Sequence, residues 1–307
     1  MRVVFFGTPE FAVPSLAALL GEGFDVQTVV TQPDRPQGRS RSRAVAPPVK
    51  LAALAEEIPV LQPERAVDPP LAEALRTLAP DIGVVVAYGH ILKPELLAIP
   101  RHGMVNVHPS LLPELRGAAP IPWTIINGLE QSGVSIIQME AGMDSGPILR
   151  QIAEPLPPDV TGGELATHFA ELGAEALVEA LALLEQGTVQ PLPQDAARAT
   201  FAPKLTRANT RIAWSADAGA VGRLVRALDP DPGAWTELRG ESVKLYGPRA
   251  AAGDGVAGDV LEADHELVVA TGRGALGFDE VQPAGRRRQS AAEWIRGRGV
   301  GRGERFQ

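Results

Sequence analysis

Apolar residues along the first half of the chain form short runs separated by stretches with helical spacing. Arg2–Phe6 predicts a buried strand, Glu10–Leu20 a helix after Pro9, Asp25–Thr31 a second strand and Pro48–Glu57 a second helix. Val60-Leu61 marks a short strand, Pro70–Leu78 a helix, Ile82–Ala87 a central strand and Met104–His108 another. This rhythm predicts an α/β fold: a doubly wound, mostly parallel sheet with helices on both faces, binding ligands at the carboxyl ends of its strands. Val134–Met139 and Pro147–Ile152 lie too close together for a crossover helix and predict an edge hairpin. Gly163–Glu185 reads as a long amphipathic helix that closes the domain.

Gly187, Pro191, Pro193 and Pro203 leave residues 187–206 with little periodicity, the mark of a linker. The expected division is a first domain over 1–189, a linker over 190–206 and a second domain over 207–307. The second begins with a helix, Asp217–Leu228. It continues in Gly-punctuated runs (Ala234–Leu238, Ser242–Tyr246, Gly258–Glu262, Glu266–Ala270, Ala275–Val281) that suggest a small β-barrel. The Gly/Arg-rich stretch Arg296–Arg305 is expected to be poorly ordered.

Composition agrees with this picture. A length of 307 residues suits two domains, and 45% hydrophobic with 21% charged residues describes a globular chain, neither disordered nor a membrane bundle. Cysteine is absent, which excludes disulfides, thiolate zinc sites and a cysteine nucleophile. The opening Met1–Gly7 has too short an apolar run for a signal peptide, and a cytoplasmic protein is expected. The formal charge of -8 is unevenly spread: residues 1–203 hold 13 Lys and Arg against 23 Asp and Glu, residues 204–307 hold 16 against 14. Arg35, Arg39, Arg41, Arg43 and Lys50 form one basic cluster, and Arg286, Arg287, Arg288, Arg296, Arg298, Arg302 and Arg305 another. Each reads equally as solvated surface or as a phosphate contact.

The nucleotide motifs are missing. Gly7-Thr8-Pro9-Glu10-Phe11 follows a strand but lacks the G-x-G-x-x-G glycines, and there is no G-x-x-x-x-G-K-[ST] loop, which disfavours nicotinamide and ATP chemistry. The densest polar cluster is Asn106-Val107-His108-Pro109-Ser110 at the end of a parallel strand, where alternation puts Asn106 and His108 on one face. In Gly142-Met143-Asp144-Ser145-Gly146, Asp144 can fold back toward them. Singly, each has a plainer reading as a packed histidine, a loop cap or a turn residue. Together they suit acyl transfer to an amine. Asn106 donates to the oxyanion, His108 shuttles the amine's proton, and Asp144 orients and stabilises the imidazolium. The other histidines show no ligand spacing with His108, so no metal is expected.

These residues resemble a known family. Asn106-x-His108, Ser110-Leu111-Leu112-Pro113, Arg116-Gly117-Ala118-Ala119-Pro120-Ile121 and Met143-Asp144-Ser145-Gly146 are similar to the signature of formyltransferases that use 10-formyltetrahydrofolate. Phe6–Phe11, Thr31–Arg39 and Gln282–Gly285 are most similar to the branch of that family that formylates methionyl-tRNA, and the likeness spans about residues 1–290. The resemblance implies a Rossmann-like catalytic domain followed by an OB-like barrel. It implies Asn106, His108 and Asp144 as the catalytic trio and Ser110, Leu111, Leu112 and Pro113 as a folate-contacting segment. It also implies a pterin slot around Val86, Ala87, Tyr88 and Gln138, and a cis bond before Pro113. The loop bearing Arg35, Arg39, Arg41 and Arg43 corresponds to the segment that enters initiator tRNA.

Two departures stand out, Arg39-Ser40-Arg41-Ser42-Arg43 where Gly-Lys-Lys-like residues are usual, and Asp231 where a tryptophan is usual. The implied partners are initiator methionyl-tRNA and the folate co-substrate, without a membrane, for a monomer in translation initiation. Three rivals stand beside this reading. One is the same transfer to a small amine, an amino-sugar nucleotide or glycinamide ribonucleotide; another is a non-catalytic RNA-binding protein; the third is a folate hydrolase in which the same trio activates water and releases formate.

Overall fold

The structure, a computed structural model, describes residues 1–36, 44–65 and 69–307. The chain forms two compact units, one of residues 1–117, 131–154 and 166–201, the other of residues 118–130, 155–165 and 202–307.

The first unit is built on seven strands, β1 (Arg2–Gly7), β2 (Asp25–Val30), β5 (Val60–Leu61), β6 (Ile82–Val86), β7 (Met104–His108), β8 (Gln131–Gln138) and β9 (Ile148–Pro155). Their order is β5-β2-β1-β6-β7-β8-β9. The pairs β1 with β2, β2 with β5, β1 with β6 and β6 with β7 are parallel, and β8 runs antiparallel to β7. The short strands β3 (Arg35–Pro36) and β4 (Ala44–Val45) pair with each other. Helices α1 (Val13–Gly21), α2 (Pro48–Ala55), α3 (Pro69–Leu78) and α4 (Pro94–Leu97) fill the crossovers. This is the doubly wound, mostly parallel α/β arrangement expected. Val3–Phe6 and Ile82–Val86 are buried along their whole length, as strands covered on both faces must be. Helix α6 (Gly162–Glu185) passes so close to β7 that a Cβ on Gly173 would stand 2.8 Å from Val107 Cγ1. Bare glycine lets the helix support the strand carrying Asn106 and His108.

The division differs from the expected linker at 190–206. Leu192 exchanges two 2.8 Å hydrogen bonds with Ile148, and Thr200 O accepts from Arg116 N at 2.9 Å, so residues up to 201 belong to the first unit. Prolines 191 and 193 leave Leu192 extended, a conformation that suits sheet pairing as well as a spacer.

The second unit contains α5 (Pro120–Ile126), α7 (Ala218–Ala227) and an antiparallel sheet of β10 (Ala234–Leu238), β11 (Glu241–Ala251), β12 (Val260–Ala263), β13 (Leu267–Ala270), β14 (Ala275–Pro283) and β15 (Gln289–Ser290), followed by α8 (Ala291–Arg296). The order is β10-β11-β14-β13-β12, with β15 on β14. The last residues correct the expectation of disorder. Gln307 and Glu237 exchange backbone hydrogen bonds of 2.9 and 3.3 Å on β10, Phe306 N donates to Gly258 O at 2.9 Å, and Val260 N on β12 donates to Glu304 O at 2.8 Å. The tail thus covers both edge strands, whose ladder groups would otherwise stand open. Val300 and Phe306 are 4% and 2% exposed, and the Phe306 ring stacks on Trp214 at 5.7 Å. Two apolar anchors and backbone pairing order a segment whose composition suggests a solvated tail.

Among the described residues no helix is long and apolar enough to cross a membrane, and no group of three or more His, Cys, Asp or Glu could hold a metal ion.

Candidate active site

The carboxyl ends of β1, β6 and β7 lie side by side, with Gly7 opposite Val86 and Val85 opposite Asn106. Cross-links fix these ends. Thr8 Oγ1 donates to Tyr88 O at 3.0 Å, Gln32 Nε2 donates to the same carbonyl at 3.2 Å, and Gln62 Nε2 donates to Gln32 O at 2.9 Å. Beyond β6 the backbone turns through Ala87 (φ 47°) and Gly89 (φ 88°), both exposed, while Val86 and Tyr88 are buried.

On β7, alternation behaves as expected: Val107 packs toward α6, while Asn106 is half-buried and its amide makes no hydrogen bond among the described residues. His108 is 4% exposed, and its Nε2 lies 3.0 Å from Leu115 O. A carbonyl accepts only, so Nε2 carries the proton and Nδ1 of the neutral ring keeps its lone pair. Nδ1 lies 3.8 Å from Asp144 Oδ2, too far for a hydrogen bond and near enough for charge stabilisation. The ring is therefore oriented by the Leu115 carbonyl, not by Asp144 as the sequence suggests. Burial pushes the His108 pKa down, partly countered by the Asp144 charge and the Leu115 hydrogen bond.

The segment after β7 closes over the site. Ser110 Oγ donates to Glu114 O at 2.6 Å. Ser135 Oγ donates to Ser110 O at 2.7 Å and accepts from Leu112 N at 3.1 Å, while Gln151 Nε2 donates to Ser135 Oγ at 2.8 Å and to Leu112 O at 3.1 Å. Leu115 N donates to Thr200 Oγ1 at 2.8 Å, which aims the carbonyl that holds His108. The Leu112–Pro113 bond is cis. Ser110, Leu112 and Pro113 are buried, so only Leu111, half-exposed, offers a side chain to a ligand from this segment.

Asp144 sits in the hairpin loop at φ 49°, with Oδ2 accepting from Gly117 N at 2.8 Å. Its loop needs glycine at 146, where a Cβ would fall 1.8 Å from Gln138 O. Gln194 Nε2 donates to Asp144 O at 2.8 Å and Gly146 O at 2.7 Å, and Gln194 Oε1 accepts from Arg116 Nε at 3.1 Å and Nη2 at 2.6 Å.

The structure thus brings Asn106, His108 and Asp144 together, with Val86, Ala87 and Tyr88 beside them. It does not bring the Gln138 side chain there. Gln138 pairs with Val105 toward the other end of β7, and its amide donates to His102 O and Met104 O, both at 3.1 Å. Arg35 Nη2 donates to Gln32 Oε1 at 2.9 Å. Arg39, Arg41 and Arg43 lie outside the described residues. Lys50 is committed to Asp34 at 2.8 Å. Sequence reasoning missed Leu115, Ser135, Gln151, Gln194 and Thr200. Only the extended Pro191-Leu192-Pro193 frame beside Gln194 signalled that the segment could pair.

Residues 1–181 match the formyl transferase family and residues 204–299 match the formyl transferase C-terminal domain. The chain belongs to the formyl transferase family. Relatives named methionyl-tRNA formyltransferase include those of Roseiflexus sp. (strain RS-1), 47% identical over 100% of this chain and 95% of the relative, and Synechococcus sp. (strain JA-3-3Ab), 46% identical over 100% and 98%. The fold is shared by the N-formyltransferase from Helicobacter canadensis solved with folinic acid and dTDP-3-aminofucose (TM-score 0.71, 18% identity, 92% of this chain and 99% of that one). It is also shared by HypX from Aquifex aeolicus in complex with tetrahydrofolic acid (TM-score 0.66, 20% identity), of which this chain covers 47%.

Proposed function

We infer that this protein transfers the formyl group of 10-formyltetrahydrofolate to the α-amine of methionine on initiator methionyl-tRNA. The observation that carries the chemistry is His108: buried, held as the Nε2–H tautomer by Leu115 O, with Nδ1 open and 3.8 Å from Asp144. The full-length relatives support the acceptor.

The donor supplies an activated formyl carbon on N10. The fixed, exposed backbone at Ala87 and Gly89, just beyond the β6 end that pairs with β7 at Asn106, suits a flat heterocycle with hydrogen-bonding edges. In the transfer, the α-amine attacks the formyl carbon as the C=O electrons move to oxygen, and Asn106 Nδ2 donates to that oxyanion, a contact typically worth about 3–4 kcal/mol. His108 Nδ1 accepts the amine's proton. The imidazolium, stabilised by Asp144, returns the proton to N10 as the C–N10 bond breaks, leaving formylated methionine and tetrahydrofolate. Arg35, with Arg39, Arg41 and Arg43, would contact the tRNA, and the exposed Arg286, Arg287, Arg298 and Arg302 add positive surface in the second unit. We place the enzyme in the cytoplasm as a monomer.

The test is acceptor transfer. Purified protein is supplied with 10-formyltetrahydrofolate and either charged initiator tRNA, charged elongator tRNA or small amines, and the aminoacyl group is weighed. A formyl mass confined to the initiator supports the assignment. Formate release or small-amine formylation without it removes the tRNA from the reading.

A further inference from the structure

Asp144 occupies the left-handed region at φ 49°, where a non-glycine residue is held only by its surroundings. Two adjacent residues do the holding. Gly117 N donates to the carboxylate, and Arg116 acts at one remove through Gln194. The Gln194 amide spends both N–H groups on the carbonyls of Asp144 and Gly146, and its oxygen takes both guanidinium contacts. Arg116 is 8% exposed and forms no ion pair among the described residues. A buried guanidinium ordinarily meets a carboxylate. Here a carboxylate would satisfy Arg116 but could not donate to two carbonyls, so only the neutral amide joins both.

We propose that Gln194 is a positioning residue for the transfer. By clamping the Asp144 and Gly146 carbonyls to Arg116, it holds Asp144 Oδ2 within charge-stabilising reach of His108 Nδ1. The role in catalysis rests on the functional reading above, in which His108 becomes an imidazolium. By Coulomb's law at an effective dielectric near ~20, a retreat of the carboxylate by ~2 Å costs roughly tenfold in rate.

The test is a double-mutant cycle. Gln194→Glu and Gln194→Asn are made alone and with Asp144→Asn, and each protein is followed by kcat, donor KM, unfolding midpoint and the NMR titration of His108. Gln194→Glu pairs with Arg116, so its unfolding midpoint holds or rises. Its kcat falls roughly tenfold with donor KM changed less than about twofold, and its His108 pKa falls further as the carboxylate moves away. In the Asp144→Asn background the same substitution changes neither kcat nor the titration. Gln194→Asn, too short to reach both sides, repeats the pattern if the glutamate variant fails to fold. An unchanged kcat and titration in Gln194→Glu, or losses that multiply with Asp144→Asn, overturn the proposal. If the unsubstituted protein formylates no amine, the functional reading falls instead, and the His108 titration still decides whether Gln194 holds Asp144.

Discussion

In the first unit Arg116 is buried against a neutral amide, whereas in the second unit Arg288 lies between Asp229 and Glu280, with its guanidinium 3.9 Å over the Tyr246 ring. The contrast extends beyond these two. Around His108 and Asp144 the first unit fixes its polar groups through uncharged partners: Leu115 O for His108, Gly117 N for Asp144, Ser135 and Gln151 for the segment after β7. Several arginines of the second unit are instead matched with acids, as in Arg249 with Asp279 and Arg305 with Asp259, both at 2.6 Å. Neutral hydrogen bonds set geometry without cancelling charge, so the Asp144 carboxylate stays available to a developing imidazolium. Matched pairs cancel one another's fields, and what they contribute is shape.

That difference predicts which substitutions strike chemistry and which strike folding. The largest effect is catalytic. His108→Ala and Asp144→Asn lose about 10²–10⁴ in kcat while donor KM moves only a few-fold. Steady-state kinetics check this, and equal losses in kcat and binding would reassign both residues to holding ligand.

Next comes Phe306→Ala, which empties a fully enclosed site beside Trp214 and costs about 3–4 kcal/mol of stability by denaturant unfolding. A negligible cost would mean that the tail does not close the second unit's sheet. Arg288→Met leaves Asp229, 9% exposed, without its cation. With Arg288 itself a third exposed, screening reduces the cost to about 2 kcal/mol, and kcat on the retained fold is unchanged. A kcat loss without instability would break the division between the two units.

The smallest effect is a pH dependence. Burial lowers the folded-state pKa of His108 below its ordinary 6.5. Below that value the unfolded chain takes up a proton that the native ring refuses. The stabilising preference for the neutral ring is therefore fully present above 6.5 and is lost as pH falls from 6.5 toward the folded value. Unfolding midpoints at pH 7.5 and 5.5 should differ less in His108→Gln than in the unsubstituted protein. The acid limb of kcat/KM should fall below 6.5.

Much of this was legible in the chain. Alternation placed Asn106 and His108 on one face of β7, the glycine-rich turn announced the hairpin, and the motif spacing brought Asp144 back to them. The missing parts are those that periodicity cannot encode. The partner that orients His108 is a backbone carbonyl, and every residue has one. Gln194 reaches the site by tertiary pairing of a proline-framed segment that has no period of its own. Gln138 lies near the site in sequence, but its side chain is taken up by His102 and Met104 toward the other end of β7. Composition misled at the carboxyl terminus because glycine and arginine outnumber Val300 and Phe306, yet those two side chains decide the packing.

His108 waits as a neutral ring with its proton on Nε2 and Nδ1 free beside Asp144. Nitrogen-15 NMR of the ring, recorded from pH 8 to 5 with His108→Gln to assign the signals, tests it most directly. The expected result is a protonated Nε2 and a bare Nδ1 that persist below pH 6.5. A proton on Nδ1 at neutral pH, or a doubly protonated ring above 6.5, would contradict it.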